Sequence, residues 1–282
     1  MNDTHKLTQG TFEGERALFK AEKLYITNSV FQNGESPLKH SKDIILDKTV
    51  FDWKYPLWYS ENIECVNVTF SENARAGVWY TNNISCEDCT IHGPKNFRRS
   101  SNIRLKHVNF TNALETFWAC KDVTLEHIVS NGDYFGMNSE NFKINNFTIH
   151  GNYPFDGAKN IEISNAELIS KDSFWNTENI YIENSYISGE YFGWNSKNIT
   201  LVNCTIESLQ GFCFIDNLKM VNCKLENTTL AFEYSNVDCE INSRIGSVKN
   251  PYSGIIKCKG IDELIMEEDK VDTKKTTIII GD

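Results

Sequence analysis

The chain has 282 residues, 40% hydrophobic and 23% charged, with a formal net charge of −10. Most of such a surface repels a long polyanion, which excludes duplex nucleic acid as a partner. No apolar run approaches the roughly 20 residues that span a bilayer, and the first segment lacks the apolar stretch of a secretory leader, so no membrane partner is expected and the expected location is the cytoplasm.

In chain order, residues 1–16 do not share the pattern that follows and are expected to cap it, because a stack of strands must cover its ends. Over 17–240 a phrase of the form Asn-Ile-x-Ile-x-Asn-x-x-Ile recurs every 19 to 21 residues, as in NIRLKHVNF (102–110), NIEISNAEL (160–168) and NITLVNCTI (198–206). Its first apolar residue falls at Leu24, Ile44, Ile63, Ile84, Ile103, Val123, Phe142, Ile161, Ile180, Ile199, Leu218 and Val237. A period of this length predicts a solenoid. Two residues on, the column is again apolar (Ile26, Leu46, Cys65, Cys86, Leu105, Leu125, Ile144), while the positions between are mostly polar, which is the alternation of a strand with one buried face. Four residues on stands a column rich in asparagine (Asn28, Asn67, Asn146, Asn165, Asn184, Asn203, Asn222), after which the inward phase resumes one residue later. This predicts a bend, where asparagine accepts left-handed backbone and its amide can bond the same residue in the next coil.

A third strand precedes each phrase: PLWYS (56–60), GVWYT (77–81), TFWAC (116–120), SFWNT (173–177) and FGWNS (192–196). Three short strands per coil, about 12–13 coils at about 4.8 Å each, predict an all-β parallel β-helix, one domain across 1–282. Residues 241–282 are read as a last irregular coil and C-terminal cap, ending in TTIIIGD, which closes the last coil or pairs with another chain. Nine cysteines scattered through strands point to reduced thiols; Cys86 and Cys89 are expected to pack inward rather than bind metal.

Within the third strand the column holding Leu57, Val78, Phe97, Phe117, Phe155, Phe174 and Phe212 is expected to face in. The adjacent column is then expected to face out: Lys39, Trp58, Trp79, Arg98, Trp118, Met137, Asp156, Trp175, Trp194, Cys213 and Phe232. Five of the six tryptophans stand in this one row. Exposed indoles over several coils make a stripe that needs a use, and an aromatic face suits the C–H face of a pyranose. Trp58, Trp79, Trp118, Trp175 and Trp194 are therefore candidate glycan-binding residues, with Arg98 and Arg99 able to grip an anionic group on the sugar or its conjugate. Burial of the stripe in a homodimer or under loops is the alternative. Asp133 and Asp156 are the preferred catalytic pair for glycosidic cleavage, with Glu115, Asp172 and Glu190 as further candidates, since carboxylates one or two coils apart bracket glycosidase spacings.

These phrases, with their strand lengths and Asn column, resemble the coils of right-handed β-helix proteins of the pectin-lyase-like superfamily, and within it a bacterial group of uncharacterised function, over about residues 11–265. The resemblance implies a right-handed solenoid whose third strand floors a polysaccharide cleft, in a superfamily of lyases, hydrolases, esterases and non-catalytic rods. NGDY (131–134) and SGEY (188–191) are similar to the acidic turn of polygalacturonases but carry Tyr134 and Tyr191 where that turn has a second aspartate. The aspartate cluster that holds calcium in pectate lyases is also missing, so neither a metal nor a cofactor is expected.

Overall fold

The computed structural model describes residues 4–281; residues 1–3 of the expected N-terminal cap and residue 282 lie outside the described residues. The chain folds as a right-handed-type parallel β-solenoid of about 15 turns. Among the described residues the only helical element is a single 3-10 turn, Thr273–Lys275, whose Lys274 amide donates to the Asp272 side chain. Two compact units are distinguished, Met1–Phe147 and Thr148–Asp282.

In the first unit the column opening each phrase is a ladder of parallel Cα partners: His5 with Leu24, Leu24 with Ile44, Ile44 with Ile63, Ile63 with Ile84, Ile84 with Ile103 and Ile103 with Val123. The ladder begins at strand His5–Thr8, inside the segment expected as a cap. In the second unit the same column pairs Ile161 with Ile180, Ile199, Leu218 and Val237 in turn, then Gly254 and Thr276. Thus the tail also stacks in register, and strand Thr276–Ile280 closes onto Ser253–Cys258. The phrase is degenerate at both ends, which is why counting phrases gives fewer coils than counting backbone ladders.

Two bends, rather than one, bracket the opening strand of each phrase. The expected asparagine column takes left-handed backbone (Asn67 φ 52°, Asn165 φ 55°, Asn203 φ 53°), and so does the asparagine that opens each phrase (Asn62 φ 55°, Asn102 φ 53°, Asn198 φ 55°). Both columns join adjacent coils by side-chain amides: Asn83 Nδ2 donates to Asn62 Oδ1 at 2.8 Å, Asn198 to Asn179 at 2.9 Å and Asn203 to Asn184 at 3.1 Å. Inside, a column of small hydroxyls bonds backbone carbonyls, as Ser139 Oγ to Phe117 O at 2.6 Å and Ser196 Oγ to Phe174 O at 2.7 Å, so these buried groups are satisfied.

The third-strand phase is as the pattern requires for most of its length. Leu57, Val78, Phe97, Phe117, Phe155, Phe174 and Phe212 are fully buried, with Phe97 on Phe117 in parallel stack at 4.8 Å. Two residues depart from the outward row. Phe232 stacks on Phe212 at 5.4 Å in the buried row, and Cys213 is buried as well. The turn entering the last regular phrase is displaced by one residue relative to the strand ladder, and a one-residue shift exchanges inner and outer faces. All nine cysteines are free and buried; Cys65 and Cys86 are register neighbours, and burial pushes the Cys120 thiol up to about 12. Phe117→Ala is expected to cost about 3–5 kcal/mol of unfolding free energy, read from a denaturant midpoint, because it opens a cavity in a column that cannot collapse without breaking register. Asn198→Ala on the exposed ladder should cost no more than about 1 kcal/mol in the same measurement.

Candidate functional site

The outward row owes its direction to backbone on either side of it. Phe117 and Ala119 both hold left-handed φ (58° and 51°), as do Phe97 and Arg99 (53° and 47°), leaving Arg98 and Trp118 each as a single extended residue between two bends. That residue bridges in parallel to its counterparts in the flanking coils, Trp79 to Arg98 and Arg98 to Trp118. Phe174 and Asn176 frame Trp175 in the same way, and Gly193 and Asn195 frame Trp194.

In the first unit this register stacks the row on itself. The Trp58 and Trp79 rings are parallel, 5° apart in plane and 4.9 Å between centroids. The Arg98 guanidinium lies between Trp79 and Trp118, 5.2 and 4.2 Å from their ring centres, and Lys39 Nζ sits 5.7 Å from Trp58. Each indole N–H donates to a backbone carbonyl: Trp58 to Ala76 at 2.7 Å, Trp79 to Lys95 at 2.8 Å and Trp118 to Tyr134 at 3.0 Å. A neighbouring row, which the tryptophan pattern overshadows in the sequence, repeats the arrangement: His40 on Tyr59 at 5.1 Å, Tyr59 on Tyr80 at 4.7 Å, and Arg99 5.9 Å from Tyr80. Its signal is the aromatic or cationic residue that follows Lys39, Trp58, Trp79 and Arg98. The ring faces are thus spent on one another.

Glu115, expected as a rim acid, is the counter-ion of this row. It pairs with Arg98, both side chains being largely shielded from water, and at 3.3 Å with the more exposed Lys95. The expectation that Arg98 stands ready for an anionic ligand is therefore corrected: its charge is already compensated and its plane already covered. Arg99 remains exposed. Asp133 is half-buried, and its backbone carbonyl accepts from the Glu115 amide at 2.8 Å.

The second unit differs. Trp175 and Trp194 meet at 39° with centroids 6.3 Å apart, Tyr153 approaches Trp175 edge-on at 6.2 Å, and Tyr191 approaches Trp194 edge-on at 5.8 Å. The Trp175 indole N–H is buried and has no hydrogen-bond partner. Three residues earlier, Asp172 is only 3% exposed, which corrects its placement on an open rim. Tyr153 hydrogen-bonds its carboxyl, while Oδ1 is buried without a partner. Burial, reinforced by the nearby Glu190 charge and opposed by Lys171, pushes Asp172 above the usual carboxylate range. Glu190 is held 3.7 Å from Lys171 Nζ and accepts from the Tyr191 hydroxyl, whose own ionisation is pushed up by that bond. Asp156 accepts from Asn176 Nδ2 at 3.1 Å. Tyr153 and Tyr191 carry no sequence signal of their own, because their part depends on how far each turn brings them toward the row.

Elsewhere, Glu87, Asp88 and His107 present ligand atoms within 4.8 Å of one another, the one cation-binding geometry among the described residues. All three are exposed, with Glu87 paired to Lys106 at 3.2 Å and Asp88 to His107 at 3.3 Å. Cavities of about 300 and 200 Å³ lie against the asparagine face near Asp43 and Asn62 and against the last coils near Lys257 and Ile279; neither is lined by the tryptophan row.

Among solved structures the chain is similar to PfbA, a surface adhesin of Streptococcus pneumoniae, at 10% identity over 93% of this chain and 81% of that one, with a TM-score of 0.40. A second structure of that adhesin gives 11% identity, 98% and 91% coverage and a TM-score of 0.36. The A-module of the mannuronan C-5 epimerase AlgE4 of Azotobacter vinelandii gives 9% identity, 98% and 88% coverage and a TM-score of 0.30. These likenesses are of coil architecture and carry no activity to this chain. A search of curated protein sequences returns no match. The family model described as "Protein of unknown function (DUF3737)" matches residues 5–279, and the chain belongs to that family.

Proposed function

We propose that the protein binds a glycan, and that the binding surface is the aromatic and acidic cluster of the second unit, built from Tyr153, Asp172, Trp175, Glu190, Tyr191 and Trp194. The observation that carries this reading is the angle between the rings. Rings set edge-on or at 39° keep faces available for the C–H face of a pyranose, and polar groups stand within the same cluster for its hydroxyls. Cleavage of the bound glycan would fall to the acids of this unit, among which Asp156 is the one drawn from the expected pair.

The first-unit row favours a second, structural role. Its rings and the Arg98 guanidinium stack on one another and its indole N–H groups donate to backbone carbonyls, although Arg98 Nε is buried without a partner, which supports a ladder that holds coils together rather than a surface that holds a ligand. Arg98, being paired with Glu115, gives little support to an anionic ligand there.

Trp175→Ala and Trp194→Ala are expected to weaken glycan binding at least about tenfold with little change in melting temperature, whereas Trp79→Ala is expected to cost about 1–3 kcal/mol of stability and leave affinity intact. Titration calorimetry paired with thermal unfolding checks both arms; a stable dimer in sedimentation with indoles shielded from quencher would instead favour assembly. For cleavage, new reducing ends should appear when a glycan panel is incubated with the protein, and Asp156→Asn should abolish them without abolishing binding.

A further inference from the structure

Three of the row's five indole N–H groups are tied down, and that of Trp175 is buried without being so. Trp58, Trp79 and Trp118 each donate to a carbonyl at 2.7–3.0 Å, while Trp175 Nε1 is buried with nothing to donate to. In the same coil, three residues away, Asp172 Oδ1 is buried with nothing to accept from. One missing partner in a native fold is a local compromise; an orphan donor and an orphan acceptor three residues apart in one coil offer the complement of a guest.

On the glycan-binding reading above, we infer that Trp175 and Asp172 together receive a sugar hydroxyl, and that the second unit therefore selects uncharged glycans over acidic ones. An indole N–H can only donate, and a carboxylate oxygen can only accept. A hydroxyl does both at once, accepting from Nε1 and donating to Oδ1. A sugar carboxylate can accept from the indole but has no proton for Asp172. An ammonium group can donate to Asp172 but cannot accept from the indole. The second oxygen of Asp172 is held by Tyr153, which orients the carboxyl and leaves Oδ1 for the guest.

The Trp175 ring is half-exposed, touched edge-on by Tyr153 and at a tilt by Trp194, and no hydrogen bond from its N–H anchors it. Trp79, clamped between a parallel indole and a guanidinium with its N–H bonded, has no such freedom.

The full-length chain is titrated calorimetrically with neutral hexasaccharides (gluco-, manno- and xylo-configured), with hexagalacturonate and with a glucosamine hexamer, at pH 5 and pH 8. Binding of at least one neutral hexamer, tighter than the uronate at both pH values, is expected. Trp175→Phe, which keeps an aromatic ring and removes the N–H, is expected to weaken that binding about tenfold at an unchanged melting temperature. Asp172→Ala should do the same; if it fails to fold, Trp175→Phe decides alone. Unchanged affinity in a folded Trp175→Phe protein overturns the inference, as does tighter binding of hexagalacturonate, the result expected if Oδ1 carries a proton and both groups donate. In either case the glycan reading stands, whereas failure of every hexamer to bind removes that reading and the inference with it.

Discussion

Register between successive coils is the constraint on which everything else in this protein rests. Parallel strands of one coil bond to the next with no sliding, so a residue at a given place in the repeat lies over its counterpart 19 to 21 residues later. Every recurring side chain then becomes a column, and the column's chemistry decides what the repeat can tolerate. Apolar columns form the core. Asparagine columns place left-handed residues at the two bends and link coils through their amides, and the serine and threonine column satisfies carbonyls that three-cornered coils leave turned inward.

The same constraint decides the fate of the aromatic row. Where register is strict and the residues are alike, identical rings fall face to face, as Trp58 and Trp79 or Tyr59 and Tyr80 do. Stacking of that kind stabilises the coils and hides the faces. Surfaces for another molecule arise where likeness fails. Around Trp175 and Trp194 the neighbouring turns bring tyrosines in edge-on, the indoles tilt, and an acid becomes buried beside them. Function in a repeat of this kind is thus sought in departures from the repeat rather than in its most regular stretch.

Charge follows a parallel logic. Arg98 and Lys95 look like an exception in an acidic chain, yet both converge on Glu115, 17 and 20 residues on, so the local excess of cation disappears on folding. Asp172 runs the other way. As one acid among many in the sequence it carries no distinction, but folding removes it from water and gives it one partner for two oxygens.

The sequence by itself determined the period, the solenoid, the asparagine bend, the inward phenylalanine column and the outward direction of Trp58 through Trp194, because each is a one-dimensional pattern that the backbone converts into space by fixed rules of alternation. It also turned Cys86 and Cys89 inward, but not Cys213, which it set in the outward row and which is buried. It did not determine which coils remain in register at the ends, where His5 and Thr276 continue ladders that no phrase announces. Nor did it show that Phe232 falls in rather than out, since a one-residue displacement in a turn is silent in the letters and reverses a side chain in the structure. Ring angles, the covering of Arg98 and the burial of Asp172 were decided by tertiary structure alone. These depend on side chains from different coils meeting in three dimensions, and the distance and angle at which they meet are set by turns that the repeat does not encode.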